Sequence, residues 1–261
     1  MFKPRFFLPK KSIDETNSLV HIVDKAVINQ ILRVLRLHVG DSLTVLDGLG
    51  NLYHCQLAIV NTRLVGAHIV ACRKATGDEE VSISIALPLI KSDRFDWAVE
   101  KLTELGVSTV IPIVSEHTVV RHKSEGKLTR WQSIARESSE QCERATIPQV
   151  VSPIELEQLL SDQDKLHKTN STLALICAER RGAPPLHDLL HIQAADKRTP
   201  QNILVIVGPE GGLTEREIAL ATRKSYQAVS LGPRILRSET AAIYAVGQII
   251  SIFGGYEKFD F

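Results

Sequence analysis

Between Ile203 and Gly247 the chain twice spells out the same order of a strand, a glycine-bearing loop and a helix. Ile203 to Val207 is a run of five apolar, mostly β-branched residues, the pattern of a strand buried on both faces. Gly208-Pro209-Glu210-Gly211-Gly212 cannot continue it, because three glycines and a proline in five positions force a turn with bare backbone. Thr214 then caps a helix, and Glu217, three residues on, completes a capping box. The pattern returns with a strand over Ala228 to Leu231, a break at Gly232-Pro233, and a helix capped by Ser238 and running through Tyr244. Two such turns at the carboxyl ends of adjacent buried strands make a floor on which a ligand can meet backbone N–H and C=O groups.

The charged residues in these turns argue for more than a change of direction. Glu210 sits inside the first loop, and Arg234, Arg237 and Glu239 crowd the second, where a plain turn needs only small or polar residues. Common nucleotide-binding loops are excluded: the chain has no G-x-x-x-x-G-K-[ST], and no G-x-G-x-x-G between a strand and a helix.

GPEGGLTEREI followed by LGPRILRSETA resembles the paired signature of the RsmE family of 16S ribosomal RNA uridine-N3 methyltransferases, in the SPOUT (trefoil-knotted) superfamily. KSDRFDWAVEKLTELGV is similar to a further block of that family, and ILRVLRLHVGD with LDGLGN to its N-terminal signature. The resemblance implies an α/β parallel-sheet domain with its last strands threaded through a knot, preceded by a small PUA-like β-barrel that binds RNA. It implies S-adenosylmethionine as cofactor, held by Gly208, Pro209, Glu210, Gly211, Gly212, Leu231, Gly232, Ile235, Leu236 and Arg237. It also implies a homodimer, and 16S rRNA or the 30S subunit as partner.

The rest of the sequence agrees with two domains. Residues 1–74 carry 10 Lys+Arg against 5 Asp+Glu, so the first part is +5 and the remainder −4 within a net charge of +1. A basic small domain beside a mildly acidic large one suits a polyanionic partner. In the first domain Arg5 lies in the edge strand around Pro4, and Asp24 caps a helix expected to reach Leu37. On that helix Arg33 and Arg36, three apart, project from one side. Alternating strands SLTVLD, LYHCQLAIV and LVGAHIVACRK follow, with a tight turn at Gly48–Asn51. Arg5, Arg33 and Arg36 are the candidate RNA contacts, since guanidinium groups hold phosphates by bidentate hydrogen bonds. Residues 75–80 read as a linker, and from Val81 strands alternate with helices through 75–261, the signature of a parallel sheet covered on both faces. The helix DRFDWAVEKLTELG, capped by Ser92 or Asp93, should end at Gly106, and SPIELEQLL should form a capped helix.

In the long helix KLTRWQSIARESSEQCER, Glu137, Gln141 and Arg144 fall at i, i+4 and i+7 and form one polar stripe. They match the family's E-x-x-x-Q-x-x-R, whose arginine lies near the active centre; Glu143 replaces the small residue usual just before that arginine. The chemistry implied is in-line displacement from a sulfonium. Uridine N3 keeps its imide proton at neutral pH, so its anion must be stabilised or the proton removed. Arg144, Arg237 and Arg234 are the candidates for stabilising the anion. Either Glu239 or Glu137 accepts the proton or orients an arginine, and the sequence leaves both open.

A second reading, a non-catalytic RNA-binding assembly factor that keeps the fold, differs in needing no donor site. The four cysteines (Cys55, Cys72, Cys142, Cys177) show no C-x-x-C spacing and the nine histidines no cluster, so no metal is expected. No apolar run approaches a membrane span, and the N-terminus has no signal-peptide core, so a cytoplasmic protein is expected.

Overall fold

The computed structural model describes residues 4–74, 81–119, 125–161, 172–178, 182–196 and 199–254. The linker expected at 75–80 lies outside them. The chain divides into two compact units, Met1–Asp78 with Ser139–Ile147, and Glu79–Ser138 with Pro148–Phe261.

The first unit is built on a six-stranded mixed sheet. Its strands are β1 (Arg5–Phe7), β2 (Ile13–Asp14), β3 (Leu19–Ile22), β4 (Ser42–Leu46), β5 (Asn51–Val60) and β6 (Val65–Lys74), in the order β1-β4-β5-β6-β3-β2. Only the β1–β4 pair is parallel. Period-two burial, with Val20 and Ile22 inside and His21 outside, gives this unit a core that includes Phe6, Leu43, Val45, Tyr53 and Val65.

Asp24 caps helix α1 (Lys25–Asn29), its carboxylate accepting from Ala26 and Val27 N–H. The α-helix does not reach Leu37. Residues Gln30–Val34 form a π turn, with Leu35 N–H bonded to the Gln30 carbonyl at 2.9 Å, and Arg36 has φ 51. The apolar residues 27, 28, 31, 32, 34, 35 and 37 fill more than one α-helical stripe. The wider turn keeps Ile31 in the core and brings Leu32 and Leu37 onto it, leaving Val34 69% exposed. Arg33 and Arg36 are both exposed but do not share a helix face, because Arg36 lies beyond the π turn in a left-handed conformation.

Ser139–Ile147 joins this unit because Ala145 and Ile147 pack with Phe7, Leu46 and Leu52. After α2 (Ser92–Glu104), the long helix α3 (Glu125–Gln141) stops three residues before Arg144, so the stripe of Glu137, Gln141 and Arg144 is not helical at its end. Cys142 and Glu143 make a turn, and Glu143 holds φ 64, the left-handed position that glycine usually takes after a helix. Arg5 secures it: Nη2 meets Glu143 Oε2 at 2.7 Å, and Nη1 donates to the Glu143 carbonyl at 3.1 Å. Because only the Cβ carries the left-handed penalty, Glu143→Gly should be about 1 kcal/mol more stable than Glu143→Ala. Urea denaturation of the two variants measures the difference.

The second unit holds a seven-stranded, all-parallel sheet. Its strands are β7 (Ser82–Pro88), β8 (Thr109–Val114), β9 (Gln149–Val150), β10 (Ile154–Glu155), β11 (Thr172–Cys177), β12 (Asn202–Ile206) and β13 (Gln227–Val229). The order is β10-β8-β7-β12-β11-β13, with β9 on β8. Among the described residues its helices are α2 (Ser92–Glu104), the N-terminal part of α3, α4 (Leu156–Ser161), α5 (Leu186–Ala195), α6 (Glu215–Arg223) and α7 (Ser238–Phe253). On one face Leu156, Leu159, Leu160 and Ala221 pack against Ile111, Ile176 and Ile206; α7 lies against β7, α2 and α5. Both faces of the strands are therefore covered, as their unbroken apolar runs require.

Gly106 ends the α2 segment at φ 89, as its position suggested. Three local expectations differ. Lys91, not Ser92 or Asp93, is the N-cap of α2. Ile154–Glu155 is a strand edge, so α4 is shorter than SPIELEQLL. Most consequentially, β12 and β13 are not neighbours, because β11 lies between them.

Candidate active site

All strands of the second sheet point the same way, so the loops after β11, β12 and β13 gather at one edge. There they enclose a cavity of about 470 Å³. Its walls are the first glycine loop with Leu213, Glu215 and Ile218, the end of β11 at Cys177, and Ile235, Leu236, Ser238 and Ala241 from the second loop and α7. Of the residues expected to hold a cofactor, Gly208, Pro209, Glu210, Gly211, Gly212, Ile235 and Leu236 line it. Leu231, Gly232 and Arg237 do not line it; Gly232 has φ 119, and its N–H is bonded to Ser230 Oγ at 3.2 Å.

The glycines are required first by the protein itself. A Cβ on Gly208 would lie 3.0 Å from Leu213 Cγ and 3.3 Å from Leu213 N, and one on Gly211 would lie 3.0 Å from His117 Cβ. Gly212, at φ 74, closes the turn by donating to the Pro209 carbonyl at 2.8 Å. His117 Nδ1 faces the carbonyls of Gly211 and Gly212 at 3.1 and 3.0 Å. Two carbonyls can only accept, so Nδ1 is the protonated ring nitrogen.

Thr214 and Glu217 form the capping box their spacing suggested. Glu217 does more than cap. It is buried, its Oε2 accepts from Thr214 N–H at 2.8 Å, and its Oε1 accepts from Glu116 N–H at 2.9 Å, joining the loop after β8 to the start of α6. Glu217→Ala strands two backbone donors and should cost about 2–4 kcal/mol by urea denaturation, with Glu217→Gln losing less.

Ser238 is not the cap of α7; Arg237 holds that position without a side-chain cap bond. The Ser238 hydroxyl instead donates to the Gly208 carbonyl at 2.8 Å and ties the second loop to the first. Arg94, near the start of α2, reaches the first loop and the start of α7: Nη1 is 3.3 Å from Glu210 Oε1, and Nε is 3.8 Å from Glu239 Oε1. Glu239 is 5% exposed, and its Oε2 has no hydrogen-bond partner among the described residues.

The candidate catalytic residues divide between the units. Arg234, Arg237, Glu239 and Glu137 belong to the second, Gln141 and Arg144 to the first. Arg234 and Arg237 are exposed and make no ion pair among the described residues; Arg144 Nη2 donates to Thr146 Oγ1 at 3.4 Å. Sequence reasoning missed Cys177, His117 and Arg94. Arg94 stands in the quoted DRFDW block, but nothing local connects it with loops more than 110 residues away. Among the described residues no group of three or more ligating side chains could hold a metal, and no helix is long and apolar enough to cross a membrane.

Comparison with known proteins identifies this arrangement. A family description of RNA methyltransferase domains matches residues 78–250, and one of RNA methyltransferase PUA domains matches residues 24–65. The ribosomal RNA small subunit methyltransferase E of Synechocystis is 37% identical over 92% of this chain and 75% of its own. The chain belongs to the ribosomal RNA small subunit methyltransferase E family. The Bacillus subtilis member is 30% identical over 94% of this chain and 95% of its own. A solved family member, the methyltransferase E of Neisseria gonorrhoeae bound to S-adenosyl methionine, superposes with a TM-score of 0.80 at 29% identity, covering 98% of this chain and all of that one. The parallel-sheet α/β domain and the PUA-like N-terminal domain are thus the fold of a methyltransferase E family member.

Proposed function

We propose that the protein transfers a methyl group from S-adenosylmethionine to N3 of one uridine in the 16S rRNA of the small ribosomal subunit. The observation that carries this reading is the cavity built from both glycine loops, whose walls are mostly residues of the two family blocks. The cavity fits the donor in size and chemistry. Its volume lies in the range of small-molecule sites. Leu213, Ile218, Ile235 and Leu236 offer an apolar surface to an adenine, and Glu210 and Glu215 give the lining an acidic edge for a ligand bearing an ammonium and a sulfonium. S-adenosylmethionine would supply an electrophilic methyl group on sulfur.

This chain's own residues supply alignment and charge. Backbone of Gly208 to Gly212 and of Ile235 and Leu236 holds the donor. Arg237 and Arg234 stabilise the uridine anion through its carbonyl oxygens. Glu239 or Glu137 accepts the N3 proton or orients an arginine. Arg33 and Arg36, exposed on the basic N-terminal unit, contact RNA phosphates, with Arg5 added where its pairing to Glu143 allows. The same reading carries a cytoplasmic homodimer and a trefoil threading of the C-terminal strands. Exposed Trp97 and Tyr244 on α2 and α7 support the dimer.

Purified protein should move labelled methyl to uridine N3 in 30S particles prepared without the modification. Donor binding with no transfer to such particles would count against this reading, and RNA binding with little donor affinity would favour the non-catalytic assembly factor. Light scattering that shows a monomer at micromolar concentration would remove the dimer.

A further inference from the structure

We propose that Arg94 is a positioning residue of the donor site, a tie that holds the two glycine loops in register; this rests on reading the cavity as that site. Arg94 does not line the cavity, yet its guanidinium addresses a carboxylate from each wall, Glu210 in the first loop at 3.3 Å and Glu239 in the first turn of α7 at 3.8 Å. The two carboxylates differ in surroundings: the Glu210 side chain is 47% exposed and lines the cavity, whereas that of Glu239 is 7% exposed. Among the described residues Arg94 is the only cation within salt-bridge distance of Glu239. A buried carboxylate needs such a partner, so Glu239 holds Arg94 in place and Arg94 in turn reaches Glu210.

The platform under Arg94 is rigid. Its neighbours Phe95, Ala98 and Val99 are fully buried, and α2 packs against α7. A planar guanidinium presents Nε and Nη donors on different edges and can serve two carboxylates at once, which a point-charge ammonium does less well. Apart from this pair of contacts, the hydroxyl bond from Ser238 to the Gly208 carbonyl is the polar link between the loops among the described residues. Without Arg94, Glu210 and its loop lose their fixed position relative to α7, and donor binding should suffer before RNA binding.

Calorimetry with S-adenosylmethionine on the full-length chain, with thermal denaturation and steady-state kinetics on 30S particles, tests this. Arg94→Ala should weaken donor binding and raise the donor KM by about 10- to 100-fold, with the RNA KM within about twofold of wild type. Arg94→Lys should fall between the two. In R94A/E239Q the unpaired buried charge is gone, so thermal stability should recover while donor affinity does not. If R94A does not fold, R94K and the double variant carry the comparison. Wild-type donor affinity in R94A, or recovery of affinity together with stability in the double variant, overturns the tie. A wild-type protein that binds no donor overturns the cavity reading and the tie with it, whereas donor binding unaffected by Arg94→Ala leaves the cavity reading intact.

Discussion

Replacing Gly208 by valine is expected to weaken S-adenosylmethionine binding by more than about 100-fold, roughly 2.7 kcal/mol. The reason lies in what surrounds the position. The first carbon of any side chain there would sit 3.0 Å from Leu213 Cγ and 3.3 Å from Leu213 N, and valine adds two methyl groups beyond it. Leu213 cannot retreat. It is 8% exposed, part of the core with Ile206 and Ala221, and its backbone leads directly into the capping box of Thr214 and Glu217. The loop must therefore move, and the Gly208 carbonyl leaves the Ser238 hydroxyl that joins the two walls. Overpacking of this kind costs about 1–3 kcal/mol of stability, which a domain of this size can absorb, so the variant should fold and fail to bind. Calorimetry beside thermal denaturation checks both halves; donor affinity within a few-fold of wild type would show that the loop is not a wall of the donor site.

The second large effect concerns Arg237. Arg237→Ala should lower kcat by about 10²- to 10³-fold, the usual consequence of removing one donor from a charge-stabilising site. Donor affinity should stay within about twofold, because Arg237 does not line the cavity. Local structure gives it no other task. It occupies the N-cap of α7 without a cap bond, and it makes no ion pair among the described residues. A cation at the positive end of a helix is unfavourable, and serine or aspartate would serve better there. A residue that breaks a local rule without compensation points to function. Arg237→Ala should therefore match the wild type in stability to within about 0.5 kcal/mol, and Arg237→Lys should recover part of the rate. Single-turnover kinetics on 30S particles separate the chemical step from binding; an unchanged rate would remove Arg237 from the site.

How much of this was legible in the sequence depended on how local each signal was. The strand over Ile203 to Val207, the turn at Gly208 to Gly212 and the capping box of Thr214 and Glu217 lie within fifteen residues, and each follows from short-range chemistry. Ser238 looked like a cap by the same logic, but a partner 30 residues earlier, the Gly208 carbonyl, takes its hydroxyl. The order of parallel strands carries no local mark, since any buried apolar run suits any central position; the placement of β11 between β12 and β13 was invisible for that reason. Helix ends misled where an unusual residue did glycine's work. Glu143 and Arg36 both adopt left-handed backbone, where the sequence pattern continues each helix through them. Arg94 and His117 come to the site only through the fold, from a helix start and a turn whose sequences look ordinary.

A crystal of the protein soaked with S-adenosylmethionine tests the donor-site claim most directly. The expected density lies between Gly208 to Leu213 on one side and Ile235 to Ala241 on the other, in contact with the bare backbone of the first loop. Donor bound elsewhere, with that cavity empty, would contradict the claim.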